Sequence, residues 1–429
     1  MNKTYLVIFI ALVITVTFLF FKADVTKKVT EKFHPNSPKS AKNSNIPENL
    51  TKFNPFETPT INGVRSRADK LSENMEYYFK EYSQEKPIRS KPIIEKSSLP
   101  FVAWQMKFEG SILHKPVIRN GNLYVATNGY QVHSLKTRTG SVLFSSPIAS
   151  QPIGANLFVH EDKLIVAQRN GAVDAIDLKT GKQFWHHRSA VDEKGNPLDI
   201  SISGISINEK SFFVSKHWGN VYIGSLKTGA TTETPGVTYE SRIQLPSVFY
   251  NNTMIFTNVA GELHTFDIEG SKKEWMHIFE KGYLLSLVED DGSLYGINNL
   301  KELIRFDLGT KSIKWKKSLL DVGYQSLIID NDVIYIGAGN LYAINKKDGN
   351  IIWQKEKESG EGFKRPITLN DKTIYCTETN GLIYSINKED GKIIKKWNIK
   401  EPIWSGINYS KGLIFVPTIK KRLYTIKTY

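Results

Sequence analysis

The sequence predicts an all-β fold, an eight-bladed β-propeller of four-stranded antiparallel blades. The first observation is a hairpin signature: residues 175–178 alternate as a strand, Thr180-Gly181 form a turn, and Phe184-Trp185 open a second strand. The second observation is that weaker copies of this hairpin recur, with turn glycines 39 to 48 residues apart, a spacing typical of a four-stranded repeat. These turn glycines are Gly140, Gly181, Gly229, Gly270, Gly309, Gly349 and Gly391.

The two ends of the repeat region complement each other. The segment around Trp104 resembles the fourth strand of a blade whose first three strands do not precede it, and the chain ends after three strands that no fourth one follows. Pairing residues 101–108 with the last three strands would close the ring without an exposed sheet edge there. The count of outer strands then gives eight blades over residues 101–429. These strands are centred on Trp104, Phe144, Trp185, Thr232, Trp275, Trp315, Trp353 and Trp397.

Residues 1–22 predict a transmembrane anchor. Tyr5 to Phe21 is an uncharged run between Lys3 and Lys22, at the short end of a membrane-spanning helix and without a clear signal-peptidase site. The positive-inside rule alone would leave the C-terminal part in the cytoplasm, because more lysines follow the run than precede it.

Residues 23–100 predict a flexible tether that contains one helix. Up to about Thr60 the segment is rich in proline, lysine, asparagine and serine and has too few large apolar residues to offset the entropy of ordering. Near 66–84, apolar side chains recur with helical spacing, which predicts an amphipathic helix. That helix would dock onto its own propeller or bind a partner, and we favour the first role.

Charge and cysteine content exclude several classes of function. The formal charge of +14 is not gathered into a dense Lys/Arg block, so we expect no nucleic-acid partner. Cys376 is the only cysteine, which rules out an internal disulfide and a cysteine-based metal cluster. His186 and His187 are adjacent on a strand and point to opposite faces, so they do not form a metal site together.

The hairpin from Ala175 to Trp185 reads A-x-D-x-x-T-G-K-x-x-W, with Asp177, Thr180 and Gly181 at the intervening motif positions. This pattern resembles the tryptophan-docking motif of the pyrroloquinoline-quinone-type β-propellers. The resemblance implies that the tryptophans of the repeats pack across the interface to a neighbouring blade. They are Trp185, Trp275, Trp315, Trp353 and Trp397.

Two branches of that family imply different functions. Quinoprotein dehydrogenases hold the quinone between a tryptophan and a vicinal cysteine pair, next to a calcium ion, and the single Cys376 departs from this pattern. The non-catalytic branch is similar to BamB, a periplasmic scaffold of outer-membrane assembly. This second resemblance implies a monomeric propeller on the periplasmic side of the membrane, with an envelope or membrane protein as its partner.

The sequence predicts no catalytic, cofactor-binding or metal-binding residues. Polar residues that open the inner strands could line the central channel and ring a ligand, although binding channel water is their simpler role. These residues are Gln151, Ser203, Gln244, Ser286, Gln325, Arg365 and Ser405.

Three functional hypotheses remain open at the level of sequence. The first is a membrane-tethered scaffold for protein–protein interaction with a BamB-like role in envelope assembly. The second is a dehydrogenase dependent on pyrroloquinoline quinone, or its redox-linked subunit. The third is a sensor that binds a small ligand or polysaccharide.

Overall fold

The computed structural model describes residues 90–147, 153–187, 202–216, 221–233, 243, 245–269, 272–279, 282–323, 326–358, 360 and 362–429. The side chains of residues 203, 216, 232, 233 and 272–276 are outside this description. The anchor predicted at 1–22 and the helix predicted near 66–84 also lie outside the described residues. Within the described ranges, no helix has the length and apolar character needed to cross a membrane.

The regular structure of these ranges consists of β-strands. In the N-terminal half they are β1 (Ile93–Glu95), β2 (Val102–Lys107), β3 (Val117–Arg119), β4 (Asn122–Thr127), β5 (Gln131–Lys136), β6 (Val142–Pro147), β7 (Phe158–His160), β8 (Lys163–Ala167), β9 (Val173–Asp177), β10 (Gln183–His187), β11 (Ile202–Ile207), β12 (Ser211–Lys216), β13 (Val221–Ser225), β14 (Thr231–Glu233), β15 (Val248–Tyr250) and β16 (Thr253–Thr257). In the C-terminal half they are β17 (Glu262–Asp267), β18 (Lys272–Ile278), β19 (Val288–Asp290), β20 (Ser293–Ile297), β21 (Glu302–Asp307), β22 (Ser312–Ser318), β23 (Leu327–Asp330), β24 (Val333–Ala338), β25 (Asn340–Asn345), β26 (Ile351–Lys355), β27 (Thr368–Leu369), β28 (Thr373–Thr377), β29 (Leu382–Asn387), β30 (Ile393–Asn398), β31 (Asn408–Ser410), β32 (Leu413–Pro417) and β33 (Arg422–Lys427).

The strands form eight antiparallel sheets, which confirms the predicted number of blades. Blades 1 to 7 take four consecutive strands each, from β3–β6 through β27–β30, and blade 8 combines β31, β32 and β33 with β2 and β1. The first strands of neighbouring blades contact one another, for example β3 with β7 and β27 with β31. These first strands therefore lie nearest the centre of the ring, and the fourth strands form its outer edge.

Blade 8 is built from both ends of the repeat region. Strand β2 pairs antiparallel with β33, and Trp104 lies opposite Thr425. The N-terminal segment thus supplies the fourth strand that the C-terminal end lacks, as the sequence predicts. Because every blade then has its full set of strands, the closure removes the sheet edge that β33 would otherwise expose.

Strand β1 corrects the predicted boundary of the tether. Residues 23–100 were expected to be flexible apart from one helix, but Ile93–Glu95 pair with β2 as a fifth strand of blade 8. The side chains of Ile93 and Ile94 are exposed, so β1 has no buried apolar face. An alternation of buried and exposed residues could therefore not have predicted this strand. The pairing comes instead from the backbone of β2, whose outer edge is free to accept another strand.

The hydrophobic core lies between blades rather than within them. The described residues contain eight hydrophobic clusters, and each cluster draws its members from two adjacent blades. One example joins Tyr124 and Val132 of blade 1 to Leu157 and Leu164 of blade 2. Eight interfaces for eight blades means that the ring has no unpacked blade face, since an open array would leave one interface missing.

Candidate functional site

The hairpin turn of blade 2 shows why the motif needs its particular residues. The Asp177 carboxylate accepts hydrogen bonds from the Thr180 hydroxyl at 2.6 Å and from the Lys179 backbone N–H at 3.1 Å. These bonds, chiefly the one from Thr180, lower the pKa of Asp177. Gly181 follows with φ +71°, a left-handed conformation that a residue with a side chain adopts only with strain. Ala175 is fully buried opposite Trp185.

Five of the turn glycines in the described residues each receive an aromatic ring from the preceding blade. A Cβ on Gly349 would lie 2.8 Å from the Trp315 ring, and one on Gly391 would lie 2.6 Å from the Trp353 ring. The Trp353 indole N–H also donates to the Lys388 backbone carbonyl at 3.0 Å. The same arrangement joins Trp104 to Gly140, Phe144 to Gly181 and Trp185 to Gly229.

A bulge directs these rings across the interface. The ladder between the third and fourth strands shifts register next to Trp185, where Gln183 pairs with Ile176 but Trp185 pairs with Ala175. Comparable shifts occur in blades 1, 4, 5, 6, 7 and 8. An extra residue at this point re-aims the side chain that follows it. The side chain of Trp275, in blade 4, lies outside the described residues.

Two positions of the predicted repeat need correction. In blade 5 the turn residue with positive φ is Lys311, at +53°, and not Gly309. The Asp307 carboxylate there accepts from the Thr310 hydroxyl at 2.6 Å, so Asp307 and Thr310 match the aspartate and threonine of the blade 2 motif. Spacing alone selected Gly309, whereas the side-chain hydrogen bonds of the turn place the motif two residues later.

Trp397 does not occupy the docking position of blade 7. It pairs with Ile383, whereas Lys395 pairs with Ser385 at the position next to the bulge. The Lys395 ammonium reaches the backbone oxygen of the C-terminal residue Tyr429 at 3.3 Å. Blade 8 has no turn between its third and fourth strands, because these come from opposite ends of the chain, so no turn glycine is present for a tryptophan to cover. Trp397 is instead 3% exposed within the cluster between blades 7 and 8.

Charged groups fasten the added strand β1 to the rest of blade 8. The Glu95 carboxylate accepts from the Arg422 guanidinium at 2.9 Å and from the Gln105 amide at 3.2 Å. Arg422 also donates to the Glu401 carboxylate at 2.7 Å, and Glu401 accepts from the Thr418 hydroxyl at 2.9 Å. We call Glu95, Arg422, Glu401 and Thr418 the closure network, because they join the first strand of the described chain to its last.

The residues predicted to line the channel are only partly described. Ser286, Arg365 and Ser405 are 2%, 4% and 4% exposed, and each precedes an inner strand. Gln151, Gln244 and Gln325 lie outside the described residues, and Ser203 lies in β11 with its side chain outside the description. Sequence reasoning missed Lys115, which lies on the same inner wall and donates to the Thr368 hydroxyl at 2.8 Å. Its position two residues before β3 was the available signal.

The described side chains offer no metal centre. In the ranges given above, no group of three or more His, Cys, Asp or Glu residues could hold a metal ion. Asp174 is fully buried and contacts His186 Nδ1 at 2.9 Å, a pair that the sequence did not predict. Asp174 also accepts from the Gln168 amide at 2.7 Å, so this cluster satisfies polar groups inside blade 2.

The chain does not fit the quinone site that the dehydrogenase resemblance implies. That site needs two adjacent cysteines, and the single Cys376 is buried in β28 as a free thiol. Burial raises its pKa well above the ordinary value. The chain therefore lacks the disulfide against which the quinone would stack.

The geometry defines a class of protein. A closed ring of four-stranded blades, docked through an aromatic ring on a glycine turn, is a pyrroloquinoline-quinone-type β-propeller. The profile of the family described as outer membrane protein assembly factor BamB matches residues 102–317 and 337–428. This match covers most of the propeller and more than half of the chain, and the chain belongs to that family.

Individual relatives are distant. The chain is 22% identical to the outer membrane protein assembly factor BamB of Moranella endobia (strain PCIT) over 287 residues, which covers 65% of this chain and 63% of the relative. The crystal structure of BamB from Moraxella catarrhalis is similar, with a TM-score of 0.59 and 15% identity over 78% of this chain and 98% of that one. A shorter stretch of 104 residues is 29% identical to the 1-butanol dehydrogenase (cytochrome c) of Thauera butanivorans and covers 21% of this chain and 15% of that enzyme. The chain spans somewhat less than two thirds of the length of the first curated BamB relatives.

Proposed function

We propose that the protein is a membrane-anchored, non-catalytic propeller scaffold that binds another envelope protein during assembly of the outer membrane. The observation that carries this proposal is the family match over residues 102–317 and 337–428. The name of the matched relatives describes a factor in outer membrane protein assembly. A rigid ring with a packed interface at every blade suits such a role, because it presents loops without changing shape.

The partner surface that we favour is the face formed by the loops between second and third strands. On this face the large apolar side chains of Ile278, Leu300 and Leu320 are 55%, 46% and 51% exposed. They belong to blades 4 and 5 and the connection to blade 6. Contiguous exposed apolar surface marks contact sites for other proteins, and these three side chains would contribute to such a surface. We call Ile278, Leu300 and Leu320 the apolar loop face.

The uncharged run from Tyr5 to Phe21 supports the anchor. It would hold the propeller to a membrane through the segment that ends at β1, on the outer edge of blade 8. The family match favours the periplasmic side, against the lysine distribution after the run. Protease treatment of intact cells and of spheroplasts tests this placement, because digestion of the propeller only after the outer barrier is opened supports the periplasmic side.

Site-specific photo-crosslinking in living cells tests the scaffold proposal. A crosslinking amino acid at Leu300 or Leu320 should capture a component of the outer-membrane assembly machinery, identified by mass spectrometry. The matched control is Lys182, which is exposed at a turn on the opposite face. Equal capture at Lys182, or no assembly component at any position, would contradict the proposal.

A quinone-dependent dehydrogenase is the second candidate, favoured by the match to the butanol dehydrogenase over 104 residues. Purified protein mixed with pyrroloquinoline quinone and calcium should then show a spectral change and reduce a dye in the presence of an alcohol. Since the single buried Cys376 departs from that site, we expect neither signal.

A further inference from the structure

The inner wall where blades 7, 8 and 1 meet carries a lysine that crosses a whole blade. Lys115 precedes β3 of blade 1, and its ammonium donates to the Thr368 hydroxyl of β27 in blade 7 at 2.8 Å. Thr368 in turn donates to the Ile407 carbonyl of blade 8 at 2.9 Å. The side chain of Lys115 therefore spans the start of the inner strand of blade 8, which lies between the other two.

Gly406 provides the space for this crossing. A Cβ on Gly406 would lie 3.0 Å from Lys115 Cδ and 2.9 Å from Pro366 Cβ. Both distances are too short for an ordinary carbon contact. The absence of a side chain at Gly406 thus lets the methylene stem of Lys115 pass over blade 8.

The positive charge of Lys115 is not compensated by a carboxylate. Among the described residues, none of the ion pairs includes Lys115, and its hydrogen-bond partner is the neutral Thr368 hydroxyl. Burial lowers the pKa of the ammonium to about 8, which reflects the loss of hydrating water. A negative charge beside the ammonium would offset this loss.

Two further polar side chains precede the inner strands of blades 7 and 8, next in sequence to Pro366 and Gly406. The guanidinium of Arg365 is 4% exposed and lies 5.6 Å from the ring of Trp404. Ser405, next to Gly406, has a buried hydroxyl oxygen with no hydrogen-bond partner among the described residues. A buried hydroxyl without a partner is destabilising unless a ligand or water satisfies it.

A groove of ≈ 530 Å³ opens beside Lys115. Its wall includes Asn408, whose amide donates to the Pro116 carbonyl at 2.6 Å and is thereby held in place. The rest of the wall mixes apolar side chains, among them Val117, Leu157 and Phe158, with the polar Asn156 and Tyr409. Small-molecule sites commonly have volumes of roughly 300–1,000 Å³ and mix apolar walls with a few fixed polar groups.

We propose that this groove binds a small carboxylic acid with an apolar body, with its carboxylate against the Lys115 ammonium. The single lysine matches the single negative charge of a carboxylate, and the apolar side chains of Val117, Leu157 and Phe158 accommodate the body of the acid. This site goes beyond the scaffold function, because it requires no protein partner.

Calorimetric titration of the full chain in detergent tests the proposal. The probes are phenylacetate, benzoate and hexanoate, with phenylacetamide as a neutral analogue and inorganic phosphate as a different anion. We expect saturable binding of at least one of the acids and at least tenfold weaker binding of phenylacetamide. No saturable binding of any acid, equal binding of phenylacetamide, or binding of phosphate alone would overturn the proposal.

Two variants tie binding to the proposed contacts. Lys115→Met removes the charge but keeps the stem, and Gly406→Ala displaces the stem from blade 8. Both should weaken acid binding at least tenfold, while Lys347→Met, at an exposed turn, should leave it unchanged. Thermal unfolding of each variant establishes that it is folded, and a folded Lys115→Met protein that binds as tightly as the wild type would refute the assignment. If Lys115→Met does not fold, the comparison of acids with phenylacetamide on the wild type decides the question.

Discussion

At the scale of single residues, the contact between two blades depends on a glycine, whose lack of a side chain leaves room for an aromatic ring of the neighbouring blade. Gly140, Gly181, Gly229, Gly349 and Gly391 each serve two purposes, because each adopts positive φ and each leaves room for an aromatic ring. Gly391 has φ +70°, and a Cβ there would lie 2.6 Å from the Trp353 ring. Gly121 has φ +73° as well, but no atom lies within 4 Å of where its Cβ would be. Substitution of Gly121 therefore introduces backbone strain alone, whereas substitution of Gly391 introduces the same strain and also displaces the Trp353 ring.

We expect Gly391→Ala to lower the stability of the protein more than Gly121→Ala does. Positive φ costs a residue with a side chain roughly 1–2 kcal/mol in either variant, and forcing the Trp353 ring away should add about 1–3 kcal/mol at Gly391. Thermal unfolding followed by circular dichroism measures the difference. Equal decreases in the two variants would show that the ring contact contributes nothing.

The thiol of Cys376 should be unreactive in the native protein. It is 1% exposed, and burial raises its pKa well above the ordinary value, so neither access nor the reactive thiolate is provided. A thiol reagent should therefore label it only after denaturant unfolds the propeller. Lys347→Cys places a second thiol at an exposed turn and should label at once. Rapid native labelling of Cys376 would mean that blade 7 opens readily.

At the scale of elements, β1 shows how a short strand without a buried face is held. Its backbone pairs with β2, and its single acidic side chain, Glu95, joins the closure network through Arg422. Arg422 lowers the pKa of Glu95 by donating a hydrogen bond to the ionised form. The contribution of Glu95 to stability is therefore complete above the pKa of an unfolded glutamate, about 4.3, and it is lost as the pH falls through the lowered folded value.

We expect Glu95→Gln to destabilise the protein by about 0.5–1 kcal/mol at pH 7, since the pair is partly exposed and screened by solvent. The difference between the variant and the wild type should begin to shrink as the pH falls below about 4.3. It should vanish only below the lowered folded pKa, where Glu95 of the native wild type also becomes neutral. Thermal unfolding between pH 3 and 7 measures both proteins. Asp390→Asn is the control, because its partner Lys392 is 82% exposed and we expect a smaller effect. A difference for Glu95→Gln that persists unchanged at low pH would contradict this account.

At the scale of the whole molecule, closure by β2 decides whether the ring forms. Strand β2 contributes Trp104 and Met106 to the cluster between blades 8 and 1, and Phe108, the residue that follows the strand, also belongs to this cluster. Without it, β33 would have an unpaired edge and that interface would lose its apolar side chains. Removal of β2 directly disrupts one of the eight interfaces. Because each blade of a closed ring packs against two neighbours, opening the ring at one interface also weakens the remaining blades.

We expect truncation series at the N-terminus to show a sharp step. Removal of residues 1–96 deletes β1 and should lower the melting temperature slightly, whereas removal of residues 1–108 also deletes β2 and should abolish cooperative unfolding. Limited proteolysis and size-exclusion chromatography distinguish a closed ring from an open or aggregated one. A peptide of residues 97–110 added to the shorter protein should restore the closed form. A cooperative transition in the protein that lacks β2 would show that closure is dispensable.

Much of the architecture could be predicted because repetition makes the same signal appear many times. The Asp177, Thr180 and Gly181 turn is local, so its hydrogen bonds and its positive φ follow from neighbouring residues. The prediction of a turn glycine at Gly309 was wrong, because it rested on the repeat spacing alone. Lys311 is the residue with positive φ in that turn. Trp397 failed for a related reason, because it lies six residues after Gly391, whereas Trp185 lies four residues after Gly181 and Lys395 occupies the matching position in blade 7.

The sequence by itself determined the repeat, the eight blades and the complementarity of the two ends, because these depend on periodic apolar residues and on turns of a few residues each. The tertiary structure alone decided that β1 joins blade 8, that Lys395 reaches the backbone oxygen of Tyr429, and that Lys115 crosses over Gly406 to reach Thr368. These contacts join residues that are 10 apart in the chain within blade 8, 34 apart between blade 7 and the end of blade 8, and 253 apart between blades 1 and 7. The physical reason is that ring closure brings such residues together, and no pattern of neighbouring residues records which of them will meet.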